Sequence, residues 1–420
     1  MTKQDTPHPN ADVRMRGFRE RSTVEQALAW LDSQIPSREN LPGEQIQLAH
    51  SHNRVLSQSV VSRIDVPQFR RAMMDGYALH AADTHGATAY NRLPLEILGD
   101  CFPGEPFEGK VARGQAARIM TGAPLPAGAD AVLPAEKSET DSDKLFALSD
   151  VAAGKHVGNV GEDIQAGTEV LPAGRILRPQ DLGVLSSIGR GEVSVIKKPR
   201  VRIVITGNEL LPSGSEPQGA KITDANGPML AALVERDGGT VQNPDIVPDD
   251  RDAVLAALKS DAEVILVSGG SSVGQEDHAP TLLAEHGTLG IHGIAMRPSS
   301  PTGMGKLGDR LVFLLPGNPV SCLCAYDFFA GRAIRQLGGL LADWPYASST
   351  GQLARKLVSA IGRVDYARVN FDTESGLVEP IAISGASVLS STTKADGFVV
   401  IPADSEGYGE GSEVEVFLYD

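Results

Sequence analysis

The chain has little cysteine, few aromatics, no long apolar run and no excess of positive charge, and each shortage removes a class of protein. Cys101, Cys322 and Cys324 are the only cysteines in 420 residues. An odd and sparse set builds no disulfide framework, so a reducing compartment is expected. Cys322 and Cys324 lie two apart in an apolar helical stretch, on different faces, and read as small buried hydrophobes rather than metal ligands. Lys and Arg total 38 against 53 Asp and Glu, a net charge of −15. That balance argues against nucleic acid covering much of the surface, although a small pocket can carry the opposite sign. No stretch approaches the ~18 uninterrupted apolar residues of a membrane span. The opening "MTKQDTPHPNADVRM" is polar, holds two prolines and lacks the apolar core of a secretory signal. Residues 1–17 are therefore expected to be disordered and the protein cytoplasmic.

What is present is an ordinary globular composition, 41% hydrophobic and 22% charged, in a chain long enough for two to four domains. Ser22 and Glu25 form a capping-box pair ahead of apolar positions at Val24, Ala27, Leu28, Leu31 and Ile35, which predicts an amphipathic helix. From about 45 to 200, short β-branched runs such as "LPLEIL", "AARIM" and "DAVLP" alternate with Gly/Pro turns, predicting small β-rich domains without a long helix. From 201 the period changes. "VRIVIT", "TVQNPDIV", "EVILVS" and "LVFLLP" read as strands, separated or followed by helices over 226–236, 251–259, 279–286 and 320–337. That alternation predicts a parallel-type sheet covered on both faces. The tail from about 346 returns to strand-like alternation, so the fold class is α/β plus β in several domains.

Ligands of such sheets bind beyond the carboxyl ends of the strands. Those ends deliver "TGNEL", "PDD", "GGSSVGQED" and "GNPVS". Gly269, Gly270, Gly317 and Asn318 allow the backbone to curl with its N–H groups inward. Ser272 and Ser321 add hydroxyls, making a nest suited to phosphate or another oxyanion. Carboxylates beside such a nest would repel the ligand unless a cation mediates. Glu209, Asp250 and Asp277 thus suggest Mg²⁺. Taken singly, each acid is better explained as a helix cap, and three at the mouth of one sheet favour the metal. In the amino half, Asp75, Thr121 and the pair Glu162–Asp163 sit beside glycines, where a plain turn would also suffice.

"DVPQFRRAMMDGYA", "RIMTGAPLPAGADAV", "VGEDIQAG", "TGNEL", "SGGSSVGQED" and "LLPGNPVS" occur in that order from about residue 20 onward. In this the chain resembles the molybdopterin molybdotransferases, the MoeA-like proteins related to the gephyrin E domain. The resemblance implies an elongated homodimer. Its subunit would have an N-terminal domain over 18–62 and 157–198, an inserted β-rich domain over 63–156, a MogA-like α/β domain over 199–345 and a C-terminal β-barrel over 346–420. The implied reaction is Mg²⁺-dependent: adenylylated molybdopterin meets molybdate, metal enters the dithiolene and AMP leaves. It implies Asp75, Thr121, Asp163, Glu209, Asp250 and Asp277 on the cofactor-precursor and Mg²⁺ side. On the molybdate side it implies Ser272, Arg297, Ser300, Ser321, Arg368 and Ser390. A MogA-like adenylyltransferase and apo-molybdoenzymes are the implied protein partners.

The chain departs from this family at "RPSSP", residues 297–301, where relatives usually carry "KPGKP". Arg297 keeps the first charge as a planar fork, and Ser300 loses the second. Asn208 stands for aspartate, Ser271 for valine and Ala72 for serine. Molybdenum insertion is the leading reading. A diverged pterin-nucleotide hydrolase or nucleotidyltransferase is the enzymatic alternative, and a non-catalytic cofactor-binding scaffold the alternative of another class.

Overall fold

The computed structural model describes residues 21–270, 278–382 and 385–419, so the expectation for residues 1–17 lies outside the described residues. The described chain divides into two units, Gln45–Val195 and the remainder. The remainder opens with a helix, Val24–Gln34. Its capping box is one residue later than the sequence suggests: Thr23 Oγ1 accepts from Gln26 N–H at 3.1 Å, and Gln26 Oε1 accepts from Thr23 N–H at 2.9 Å. Val24, Ala27 and Leu31 bury its apolar stripe.

The α/β part contains a six-stranded sheet in the order 240–247, 200–206, 264–268, 310–315, 303–307, 288–292. The first four strands are parallel. The last two run antiparallel at the edge, a hairpin that the alternating helix–strand pattern does not announce. Val201, Ile203 and Ile205 face one layer, which includes Leu230, Val234 and the long helical stretch after Pro319. Val204, Ile265 and Val267 face the other, with Val254, Leu258, Leu282 and Leu283. The period-2 alternation of strands buried on both sides assigns each residue its layer. The helix expected over 320–337 is continuous, but Tyr326–Ala330 widens into a π turn between Pro319–Ala325 and Gly331–Leu337.

The C-terminal strands close on themselves: 364–372 pairs with both 377–382 and 397–401, and 348–353 and 413–418 complete a five-stranded barrel. The short strand Met296–Arg297 joins it beside Val364 and Asp365. Although aromatics are scarce, Phe328, Trp344, Tyr366, Phe398 and Phe417 meet in one cluster, with Tyr366 stacked on Phe398 at 4.3 Å.

The unit Gln45–Val195 is built mainly on a six-stranded sheet in the order 131–134, 76–79, 115–119, 93–101, 144–147, 138–141. Two-stranded ladders join 60–61 to 169–171 and 71–72 to 157–158. It also contains a helix, Pro179–Ser187, where the sequence offers none. Pro at its first turn and the Asp181 carboxylate, which accepts from Arg178 N–H at 3.0 Å, start it.

Candidate active site

At the carboxyl end of strand 264–268, geometry requires glycine at position 269. Gly269 has φ +95°, and a Cβ there would sit 2.2 Å from the Thr206 carbonyl oxygen. Gly270 has φ +55°. A Cβ on Gly317 would lie 3.6 Å from Gly269 Cα, so the turns after strands 264–268 and 310–315 approach backbone to backbone. Gly269 N–H donates to Leu315 O at 3.3 Å. A side chain is excluded at Gly269, whereas a Cβ at Gly317 would make only ordinary contact.

Asn226, not singled out in the sequence, connects the two turns. Its Nδ2 donates to Gly317 O at 2.8 Å and meets Ser268 Oγ at 2.9 Å. A carbonyl only accepts, so the amide nitrogen must face Gly317, and Oδ1 is left buried without a hydrogen-bond partner. Asp224 Oδ1 in turn accepts from Asn226 and Gly227 N–H, both at 2.9 Å. The available signal is "DANG", an acid two residues ahead of a helix whose first residue is polar yet buried.

The carboxylates divide. Asp250 caps helix Arg251–Leu258, with Oδ1 accepting from Asp252 and Ala253 N–H, both at 3.0 Å. Its neighbour Asp249 reaches the first turn, where Oδ2 accepts from Asn208 N–H at 3.3 Å. Glu209 is exposed at the same turn. Among the described residues no three His, Cys, Asp or Glu side chains converge on a point that could hold a metal. Asp277 and Ser272, expected to complete the cation and oxyanion sites, lie outside the described residues. The oxygen-only donors Glu209 and Asp250 are of the type a hard cation takes.

The residues expected on the oxyanion side fall into two groups. Arg368 is fully buried, and burial lowers its guanidinium pKa. Its charge acts on Cys324, whose thiol burial pushes up and a hydrogen bond to Ser299 pulls down. Ser299 Oγ donates to Ser321 O at 2.6 Å, and Ser321 is itself buried. Asn318 caps helix Pro319–Ala325 through its carbonyl, which accepts from Cys322 N–H at 2.9 Å. Val320 N–H donates to Ala386 O at 3.0 Å, fastening this helix start to the chain that leads to the exposed Ser390. Arg297 belongs to the second group. Its NH2 donates to Asp365 Oδ2, and Asp365 has no exposed surface. Ser359 Oγ donates to the same oxygen at 2.8 Å, and Arg363 Nε lies 3.1 Å from Oδ1. Ser300 Oγ is buried without a hydrogen-bond partner. Arg363 and Asp365 escape notice in the sequence because a charged pair at the start of a strand reads as surface.

The cysteines are free and buried, and burial pushes Cys322 up to about 12, consistent with a packing role.

In the other unit, Asp75 and Thr121 are brought together across 46 positions. Asp75 Oδ1 accepts from both Thr121 N–H and Thr121 Oγ1, each at 2.7 Å. These two bonds, the backbone one first, hold the Asp75 carboxyl below its ordinary value. Asp163 is exposed, with its backbone N–H on Val66 O at 3.0 Å. Its neighbour Glu162 pairs with Arg71 at 2.8 Å, which lowers its pKa.

Three family profiles match in series: the MoeA N-terminal region (domain I and II) over 22–189, a probable molybdopterin binding domain over 202–336, and the MoeA C-terminal region (domain IV) over 350–419. A putative molybdopterin biosynthesis protein of Methanocaldococcus jannaschii is 33% identical over 392 residues, covering 90% of this chain and 93% of its own. The chain belongs to the MoeA family. A second MoeA relative, molybdopterin molybdenumtransferase 2 of Mycobacterium tuberculosis, is 32% identical over 89% of this chain and 94% of its own. Among solved MoeA structures, the molybdopterin biosynthesis MoeA protein of Pyrococcus horikoshii superposes with a TM-score of 0.82 at 31% identity, covering 95% of this chain and 99% of that one.

Proposed function

We propose that the protein is a molybdopterin molybdotransferase, inserting molybdate into adenylylated molybdopterin with release of AMP. The observation that carries this is the double-glycine approach of Gly269 and Gly317, tied by Asn226, at the mouth of a parallel sheet in a MoeA-family chain. In this reading the glycine turns leave room for a phosphate, and the backbone N–H groups of such turns are the donors a phosphate takes. Asp75 and Thr121 serve the cofactor precursor together with Asp163. Arg297, Ser300, Ser321, Arg368 and Ser390 serve the oxyanion with Ser272.

In this reading Glu209, Asp250 and Asp277 would hold Mg²⁺, which would supply Lewis-acid polarisation of the phosphoanhydride joining AMP to the pterin phosphate. The glycine turns orient the pterin phosphate, and the buried Arg368 balances the oxyanion's charge where water is scarce. A water oxygen attacks the AMP phosphorus, the bond to the pterin phosphate breaks, and AMP departs with that oxygen, while the two dithiolene thiols displace one molybdate oxygen as water. If a molybdate oxygen attacks instead, AMP leaves only when its Mo–O bond breaks and the dithiolene sulfurs take that oxygen's place. Homodimeric assembly and a cytoplasmic setting belong to the same proposal. Among the described residues no helix is long and apolar enough to cross a membrane.

One observation favours a second reading, a diverged pterin-nucleotide hydrolase: Arg297 is held by Asp365, and position 300 carries no charge. A single-turnover experiment separates the two. Purified protein is mixed with adenylylated molybdopterin and Mg²⁺, with and without molybdate, while AMP and protein-bound molybdenum are followed. Molybdate-dependent AMP release with metal retained is expected. AMP release indifferent to molybdate, with no metal kept, would establish the hydrolase instead, and no AMP at all would leave a binding scaffold.

A further inference from the structure

Asp365 holds two guanidiniums at once. Arg297 comes from the α/β part and Arg363 from the chain entering barrel strand 364–372, and both reach one carboxylate that has no exposed surface. Ser359 takes a place on Oδ2, so that oxygen is shared by a guanidinium and a hydroxyl. The Arg363 Nε stands 3.1 Å from Oδ1 without the alignment of a hydrogen bond. Arg297 Nε and Ser300 Oγ are buried as well, and neither has a hydrogen-bond partner. Two guanidiniums against one carboxylate leave a single net positive charge beside these unsatisfied groups. Buried polar atoms in native proteins are nearly always satisfied, so such a collection marks a place that a small polar species completes. Both arginines keep about a third of their side-chain surface, 32% and 35%, so the charge is reachable from solvent.

We propose that Asp365 is the specificity-determining residue of this seam: by neutralising one of two guanidiniums it sets how much positive charge a tetrahedral oxyanion meets, and so how strongly dianions are preferred over monoanions. The inference rests on the oxyanion reading of Arg297 given above and adds a residue that does not touch the anion. Asp365 acts through the arginines and is a positioning residue. With the carboxylate present, both anions meet one net positive charge. Without it, the second guanidinium is released and its charge acts twice as strongly on a dianion.

Molybdate and perrhenate provide the probe, being tetrahedral oxyanions of similar size with charges of −2 and −1. Binding of each to the full-length protein is measured by isothermal titration at fixed ionic strength. Asp365→Asn is expected to raise the molybdate-to-perrhenate affinity ratio about tenfold, the effect of one added charge-assisted contact at a half-open site. Arg363→Gln, which leaves one guanidinium against the carboxylate, is expected to lower that ratio by a similar factor. A folded Asp365→Asn variant in which both affinities move equally would overturn the proposal, because a purely structural role shifts the two anions together. So would the absence of binding of either anion to wild type and variants alike. If Asp365→Asn fails to fold, the Arg363→Gln ratio decides, and an unchanged ratio there sinks the idea. A shifted ratio in a protein that releases no AMP from adenylylated molybdopterin would leave this inference standing and remove the transferase reading.

Discussion

At the end of helix Asn226–Arg236, Arg236 and Arg335 meet Asp237 and Asp327, whereas at the start of strand 364–372 Arg297 and Arg363 meet Asp365 alone. In the first cluster every carboxylate oxygen is engaged. Arg335 and Arg236 take Asp237 at 2.9 and 3.0 Å, while Arg236 and the Tyr346 hydroxyl cover Asp327 at 3.0 to 3.1 Å. Charges cancel, and both carboxylates are fully buried. Each cluster leaves a guanidinium Nε unsatisfied, Arg335 in the first and Arg297 and Arg363 in the second, but only in the second is charge left over and do the guanidiniums open toward water. The same residue types therefore do different work. A balanced network fixes packing, and an unbalanced one is suited to an anion.

The largest effect should come from unbalancing the first cluster. Asp237→Asn leaves the 4%-exposed Arg335 without its counter-ion and should lower stability by about 3–5 kcal/mol, read as a shift in urea midpoint. Oxyanion affinity should be unchanged, and a parallel loss of anion binding would blur the distinction between the clusters.

Next is the pH response of Asp327. Burial pushes its pKa up to about 6 against an ordinary 3.8, with Arg236 opposing. The folded state then binds the extra proton between these values, so the stability this group contributes is full below 3.8 and is lost as pH rises through about 6. Relative to permanently neutral Asp327→Asn, wild type should lose about 1–3 kcal/mol between pH 4 and 7. Parallel melting-temperature curves for the two proteins over that range would refute it.

Asp365→Asn should be milder, about 1 kcal/mol in urea, because its partly exposed partners can turn to solvent as the buried Arg335 cannot. A loss as large as that of Asp237→Asn would erase the difference between the clusters. The smallest effect concerns the exposed Asp75. Thr121→Val removes one of two hydrogen bonds and should move the Asp75 carboxyl partway back up toward its ordinary value in a ¹³C NMR titration. No movement would mean that the backbone bond alone sets it.

Much of the architecture is legible in the residues. The helix Asn226–Arg236 and the strands carrying "VRIVIT", "TVQNPDIV" and "LVFLLP" follow from periodicity, because burying one or both faces dictates which positions are apolar. The helix Pro179–Ser187 is not legible, since its apolar stripe is weak and its start depends on Asp181 binding Arg175 and Arg178. The capping box slipped by one residue for a similar reason: Ser22 and Thr23 are both competent caps, and only the bridge of Ser22 to Ile294 fixes which one is used.

The sequence by itself determined the class of fold, the order of its parts and the glycine-rich strand ends, because these rest on local backbone freedom and on the period of apolar residues. Tertiary structure alone decided which charges are cancelled. It matched Asp75 with Thr121, Asp249 with Asn208 and Asp365 with Arg297. Those outcomes depend on partners tens of residues away, and an ion pair leaves no periodic trace along the chain.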